Sequence, residues 1–184
     1  MDLLFERATN LAALDSFECG VPVVDEIIRE ALPMALSTND LFLVRNEEEV
    51  VALYCIQKEN YSLFLSDAAK ESMKEGSKPK PHSSLDERSD YWNRFFYDSV
   101  ELTLLAVKKE LRGRHIGSFI IEHVLDTLAD NPEEKRELLV VRALNDSDYS
   151  AIPFYRKCGF FPAIKERPGE NLIMYHIIPA NPLR

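Results

Sequence analysis

A basic turn that joins a strand-like segment to an amphipathic segment constrains the fold of this chain more than any other feature. The apolar run from Val100 to Val107 is typical of a buried strand. Beyond the turn, apolar residues recur at every fourth position and so share one face of a helix: Ile116, Ile120, Val124 and Leu128. The start of such a helix presents unpaired backbone N–H groups and the positive end of the helix dipole. The sequence therefore predicts a phosphate-binding turn formed by Arg112, Gly113, Arg114, His115, Ile116, Gly117 and Ser118.

The spacing of glycines in this turn narrows the class of ligand. The turn has neither the Walker pattern nor the Gly-x-Gly-x-x-Gly pattern of dinucleotide sites. It resembles the Arg/Gln-x-x-Gly-x-Gly/Ala signature of the GNAT N-acetyltransferases, which holds the pyrophosphate of acetyl-CoA. Arg112 takes the first position and Gly117 the last, while His115 replaces the middle glycine. The alternative is an exposed basic turn with no ligand.

A second segment resembles the family's other signature, Asn-x-x-Ala-x-x-Phe-Tyr-x-x-x-Gly-Phe. Five positions agree: Ala151, Phe154, Tyr155, Gly159 and Phe160. Asp148 stands at the asparagine position, and Asn145, three residues earlier, could serve in its place. The two signatures occur in the family's order, with a predicted strand over 138–143 between them.

The resemblance implies an α/β (α+β) GNAT fold in a single domain over 1–184. Its mixed central sheet should have six to seven strands, about four flanking helices and a splay between the fourth and fifth strands. The apolar patterns predict strands over 3–9, 41–45, 50–57, 100–107, 138–143, 160–164 and 172–178. They predict helices over 22–32, 116–130 and 150–158, the first burying Val24, Ile27, Ile28 and Ala31. Pro33 should end or kink the first helix.

The segment 66–98 departs from the compact pattern and is interpreted as a mobile insertion. It starts helix-like over 67–74, then turns polar and rich in proline, lysine and serine. Its end is aromatic, with helical spacing at Trp92, Phe95 and Phe96. This cluster is either a helix that packs on the core or a wall of the acceptor pocket.

Composition limits the remaining function classes. The 46% hydrophobic fraction excludes global disorder, and 22 basic against 31 acidic residues give a net charge of −9. That balance disfavours general binding of nucleic acid. Three widely separated cysteines, four scattered histidines and the lack of signal-peptide and membrane-spanning patterns indicate a cytoplasmic protein without a metal site.

The resemblance also assigns catalytic roles. The backbone of Leu105, Ala106 and Val107 would bind the pantetheine arm and polarise the thioester carbonyl. Tyr155 would donate a proton to the CoA sulfur. Glu101, on the same strand face as Leu105 by the two-residue period, would act as the base. Each catalytic role has an alternative that stays open. Tyr155 could be a structural tyrosine, and Glu101 could be an ordinary paired glutamate.

A looser resemblance links the segment from Phe17 to Ala31 with the GNAT toxins of bacterial toxin–antitoxin pairs, which acetylate aminoacyl-tRNA. Three functions therefore remain. The first is direct acetyl transfer from acetyl-CoA to a primary amine of a small molecule or protein. The second is a tRNA-directed toxin, the one case that would involve nucleic acid, and the third is a CoA-binding module without turnover. No membrane partner is expected, and a homodimer stays open.

Overall fold

Seven strands form one mixed sheet. The computed structural model describes residues 2–38, 40–47, 49–64, 94–131, 136–163 and 166–178. The strands are β1 (Leu4–Arg7), β2 (Leu41–Asn46), β3 (Glu49–Phe64), β4 (Arg94–Val107), β5 (Leu138–Ala143), β6 (Phe161–Pro162) and β7 (Leu172–Ile177). Their order in the sheet is β1-β2-β3-β4-β5-β7-β6, with β4 and β5 parallel. The predicted mixed sheet is therefore confirmed, whereas the splay between β4 and β5 stays a prediction.

The described residues include three α-helices: α1 (Pro22–Ser37), α2 (Ile116–Ala129) and α3 (Ile152–Lys157). Pro33 does not end α1, which continues for four further residues to Ser37, so the predicted end at Leu32 is wrong and the alternative, a kink, stays a prediction. Proline at this position removes one N–H donor, which would otherwise bond the carbonyl of Arg29. Short 3₁₀ turns at Ala12–Leu14 and Lys109–Leu111 complete the helical elements.

The buried face of α1 also differs from the predicted one. Ile27 is exposed, and the buried positions are Asp25, Ile28, Leu32 and Ala35. The spacing of three and four residues is that of a helix face, rotated by about one position from the apolar prediction. An acidic side chain thus takes a place that the pattern assigned to an apolar one.

Strands β3 and β4 are longer than predicted. The backbone from Arg94 onwards is strand, so the helical interpretation is wrong for Phe95 and Phe96, and Trp92 lies outside the described residues. A short aromatic run fits both periods, and aromatic residues favour strands. The helix predicted over 67–74 lies outside the described residues, as does most of the proposed insertion.

The described residues group into two compact units. Met1–Gln57 with Leu102–Glu122 form one, and Lys58–Glu101 with His123–Arg184 form the other. In the first unit β1, β2 and β3 pair antiparallel, and Asn46 opposite Glu49 closes the predicted hairpin. In the second unit β7 pairs antiparallel with both β5 and β6. The centre of that unit is apolar, because Leu138, Leu139 and Val140 are fully buried.

Candidate active site

The predicted phosphate-binding turn lies entirely within the first unit, between the end of β4 and the start of α2. Residues 112–115 are exposed, and Ile116, the first residue of α2, is buried. The N–H of Phe119 donates to the carbonyl oxygen of His115 at 3.0 Å, so His115 caps the helix. Two arginines therefore flank an exposed helix start, where N–H groups and the helix dipole favour an anion.

His115 has a backbone conformation that explains its place in the signature. Its φ is +63°, in the left-handed region, and Gly113 has φ +77°. Residues other than glycine rarely adopt this backbone conformation, although histidine adopts it more often than most. His115 thus adopts a conformation that glycine would adopt without strain.

Neighbouring segments of the same unit fix the base of the turn. The N–H of Lys108 donates to the carbonyl of Val51 at 2.9 Å, and the N–H of Lys109 donates to the carbonyl of Glu18 at 3.0 Å. The Lys108 ammonium also pairs with Glu49, and this pairing raises the pKa of Lys108. The backbone immediately before the turn is therefore fixed by hydrogen bonds to two different segments of the unit.

The strand residues expected to bind the pantetheine arm directly precede this turn. Ala106 is buried, whereas Leu105 and Val107 are half-buried. This alternation is that of a strand with one face in the core. The turn and these three residues are brought together by chain continuity within one unit.

Tyr155 lies on α3 in the second unit, in an aromatic environment. Only 8% of it is exposed, and its ring contacts those of Phe154 and Phe160 edge-on at centroid distances of 5.1 and 5.3 Å. Burial raises the pKa of its phenol, with smaller contributions from Tyr149 and Cys158. The phenol therefore keeps its proton at neutral pH and can act as a proton donor.

The turn after Tyr155 depends on Gly159. Its φ is +84°, and a Cβ there would lie 3.1 Å from Nε2 of His176. The His176 ring is itself held by a 2.7 Å contact between its Nδ1 and the carbonyl of Ile177. The predicted need for glycine at this position is confirmed by both conformation and space.

Glu101 is a buried carboxylate with a cationic partner. Only 4% of the residue is exposed, and its Oε1 accepts a hydrogen bond from Nε of Arg142 at 2.9 Å. The Arg142 side chain is about half exposed. Glu101 is thus a paired strand glutamate, as one of the two interpretations expected. Its role as the base stays a prediction.

Asn145 holds a loop in the second unit. Its side-chain amide donates to the carbonyls of Arg167 and Glu170 at 3.4 and 3.3 Å. Its backbone N–H donates to Oδ1 of Asn171 at 3.1 Å. The expected contact of Asn145 with the cofactor stays a prediction, and the observed contacts give it a structural role.

Asp25 is the residue that the sequence reasoning missed. It is an acidic residue in the first turn of α1, and the carboxylate accepts hydrogen bonds from the N–H groups of Cys19 and Gly20 at 2.7 and 3.1 Å. The available signal was the acidic residue shortly after Pro22, since helix starts favour carboxylates that accept backbone N–H groups. Among the residues that the structure describes, no cluster of His, Cys, Asp or Glu could hold a metal ion, and Cys19 and Cys55 are free thiols.

Comparison with known families agrees with the two signatures. Residues 86–162 match the family model described as acetyltransferase (GNAT) domain, a segment that includes both signatures. No curated protein sequence matches the chain. The match over this segment indicates a GNAT acetyltransferase domain, the class of enzyme whose co-substrate is acetyl-CoA.

Solved structures share the fold at low sequence identity. A tyrosine-to-phenylalanine variant of KacT has a TM-score of 0.68 at 16% identity, over 97% of this chain and 96% of that chain. AtaT complexed with acetyl-methionyl-tRNAfMet has a TM-score of 0.64 at 20% identity, over 93% and 94% of the two chains. AtaTR bound with acetyl-CoA has a TM-score of 0.63 at 22% identity, over 96% and 94%. These likenesses establish the GNAT fold over nearly the whole chain. In its described part, no helix is long and apolar enough to cross a membrane.

Proposed function

We propose that the protein transfers the acetyl group of acetyl-CoA directly to a primary amine of a small molecule or protein. The observation that supports this most strongly is the turn at 112–118, with left-handed backbone at Gly113 and His115 and a helix start at Ile116. Its place within the segment that matches the acetyltransferase family supports the pyrophosphate of CoA as the anion that the turn would bind.

In this proposal the amine nitrogen attacks the thioester carbonyl carbon, and the C–S bond then breaks. A backbone N–H in the stretch Leu105 to Val107 stabilises the negative charge that develops on the carbonyl oxygen. Glu101 removes a proton from the acceptor ammonium group before the attack, and the phenol of Tyr155 gives its proton to the departing CoA sulfur. The proton that the acetylated nitrogen then releases returns to Tyr155. Burial raises the pKa of Tyr155, so the phenol is protonated at neutral pH, as the acid role requires.

Aminoacyl-tRNA is the second candidate acceptor. It is favoured by the fold likeness to AtaT, which was solved in a complex with acetyl-methionyl-tRNAfMet. The α-amino group of an aminoacyl ester is itself a primary amine, so the chemistry would be unchanged. The net charge of −9 opposes it, because binding to tRNA requires positive surface. A cytoplasmic location suits either acceptor, and the free thiols of Cys19 and Cys55 support it.

One assay tests the activity and separates the acceptors. The protein is incubated with radiolabelled acetyl-CoA and, in parallel, with polyamines, lysine-containing peptides and aminoacyl-tRNA. Transfer of label to the amines supports the proposal, whereas transfer only to aminoacyl-tRNA supports the second candidate. Binding of acetyl-CoA with no transfer to any acceptor would leave only a CoA-binding module.

A matched pair of variants controls the assay for the acid role. Tyr155→Phe removes the proposed proton donor, whereas Tyr175→Phe makes the same change at another buried tyrosine. The described residues offer the Tyr175 hydroxyl no hydrogen-bond partner, so its loss should be tolerated. Label transfer should collapse in the first variant and persist in the second.

A further inference from the structure

The loop before α1 is bound to the rest of the first unit by one buried carboxylate. Asp25 is 9% exposed, and its two oxygens accept separate hydrogen bonds from the N–H groups of Cys19 and Gly20. The thiol of Cys19 is buried beside this carboxylate, and burial raises the pKa of Cys19 to about 11. A charged acceptor that serves two backbone donors holds a loop more firmly than a neutral one.

The same loop forms the wall behind the phosphate-binding turn. The carbonyl of Glu18 accepts the N–H of Lys109, and the carbonyl of Cys19 accepts Nη1 of Arg112 at 3.4 Å. The Lys109 side chain packs on Gly20 so closely that a Cβ at Gly20 would lie 2.7 Å from Cγ and Cδ of Lys109. Loop 18–20 therefore contacts the turn through two hydrogen bonds and one packed side chain.

We propose that Asp25 is a positioning residue for acetyl-CoA binding, which acts through loop 18–20 on Lys109 and Arg112. This inference rests on the proposed function of the turn. The carboxylate of Asp25 accepts the N–H groups of Cys19 and Gly20. The carbonyl groups of the same two peptide units, those of Glu18 and Cys19, accept the hydrogen bonds from Lys109 and Arg112. Loss of the carboxylate frees both donors, so the carbonyls that orient Arg112 and the start of the turn lose their fixed direction.

The test uses Asp25→Asn, which keeps the size of the side chain but places an NH₂ group against one of the two N–H donors. The dissociation constant for acetyl-CoA is measured by calorimetric titration, and initial rates are measured with the acceptor found in the transfer assay. We expect the Kd and the KM for acetyl-CoA to rise about tenfold, as for a lost charge-assisted hydrogen bond. The kcat at saturating acetyl-CoA should stay within about twofold, since the reacting atoms are untouched.

Two further measurements separate positioning from general stability. Glu26→Gln removes one negative charge at the next position of α1, where the side chain is exposed, and should leave the Kd unchanged. With S-acetylpantetheine, which lacks the pyrophosphate, Asp25→Asn and wild type should react at equal rates. If Asp25 had only a general structural role, Asp25→Asn would lower the rates with acetyl-CoA and with S-acetylpantetheine alike.

A second variant approaches the same contact from the loop. Gly20→Ala introduces a Cβ against Lys109 at a residue with φ +76°, and it should also weaken acetyl-CoA binding. Gly169→Ala is the matched control, because Gly169 has φ +72° and no atom within 4 Å of an added Cβ. If Asp25→Asn fails to fold, the affinities of Gly20→Ala and Gly169→Ala for acetyl-CoA decide whether loop 18–20 contributes to binding.

The outcomes are distinct. A wild-type protein that does not bind acetyl-CoA would overturn the proposed function and this inference together. Wild-type binding with an unchanged Kd in folded Asp25→Asn and in Gly20→Ala would overturn only the inference. Weakened binding in both, with both controls unaffected, supports it.

Discussion

His115→Gly tests the role of backbone conformation in the turn. Residue 115 has φ +63° and supplies the carbonyl that accepts the first hydrogen bond of α2, from Phe119. If this position contributes through its backbone, glycine should preserve the turn. The departure from the family signature would then be conservative in structure although not in sequence.

The expected change in stability is small because two effects oppose each other. The left-handed backbone costs an ordinary residue about 1–2 kcal/mol, and histidine belongs at the lower end of that range. Glycine relieves this cost but gives the unfolded chain more freedom, which costs about 0.4–1 kcal/mol. The net change in the free energy of unfolding should therefore stay within about 0.5 kcal/mol, or about 2 °C in Tm for a chain of this size.

His115→Val is the matched contrast, since a β-branched residue fits the left-handed region poorly. We expect it to lower Tm by about 2–4 °C relative to wild type, for a cost of about 1 kcal/mol. Thermal denaturation gives both values, and titration with acetyl-CoA gives the affinities. His115→Gly should bind as well as wild type or better, and His115→Val should bind more weakly.

A different result would refute this account of the turn. A tenfold loss of affinity in His115→Gly would show that the imidazole itself contacts the ligand. Retained binding in His115→Gly, with weaker binding in His115→Val, leaves the backbone as the contributing group.

Three further predictions concern the second unit. Tyr155→Phe should lower kcat by about 10²–10⁴ with little change in the KM for acetyl-CoA, as expected for a lost general acid. Because burial raises the pKa of Tyr155, ionisation of this phenol should not lower the wild-type kcat up to about pH 10. A decrease in the wild-type kcat well below pH 10 that is absent in Tyr155→Phe would contradict the raised pKa. Glu101→Gln and Arg142→Gln should each lower stability by about 1–2 kcal/mol, since each breaks the same ion pair. A rate loss at low pH, confined to Glu101→Gln, would support the base, and equal rates in both variants would leave Glu101 a structural residue. Gly159→Ala should cost about 2 kcal/mol through backbone strain and contact with His176, and an unchanged melting temperature would contradict the geometry.

The fold of the second half was accessible from sequence because its signals are local. Strand β5 has the predicted bounds Leu138–Ala143, and α2 begins at the predicted Ile116. A continuous apolar run and a helix-period stripe each decide an element within about ten positions. The turn predicted to bind phosphate is likewise contiguous in sequence, so its residues could be proposed without the structure.

The errors arose where tertiary context decides. Pro33 is tolerated inside α1, and the face of that helix is rotated so that Asp25 is buried. Local propensity cannot show that a carboxylate will meet two backbone donors from the preceding loop. The aromatic run near Phe95 fits strand and helix alike, and its place beside β3 in the sheet order accompanies the strand conformation.

The surroundings of the candidate catalytic residues were equally inaccessible. Glu101 and Arg142 are 41 positions apart, and their pairing depends on which strands are neighbours in the second unit. The burial that raises the pKa of Tyr155 comes from rings on both sides of Gly159. Sequence named these residues, and only the folded chain shows what each one contacts.

The central claim, that the turn at 112–118 holds the pyrophosphate of acetyl-CoA, is tested most directly by calorimetric titration of acetyl-CoA into wild type and Gly117→Val. Gly117 lies in the first turn of α2, and valine is no worse than glycine as a helix former, so the variant should keep its melting temperature. We predict saturable binding to wild type and a loss of affinity of at least about tenfold in the variant, because a β-branched side chain would occupy the space of the pyrophosphate. Equal affinity of the two proteins, or no binding to wild type, would contradict the claim.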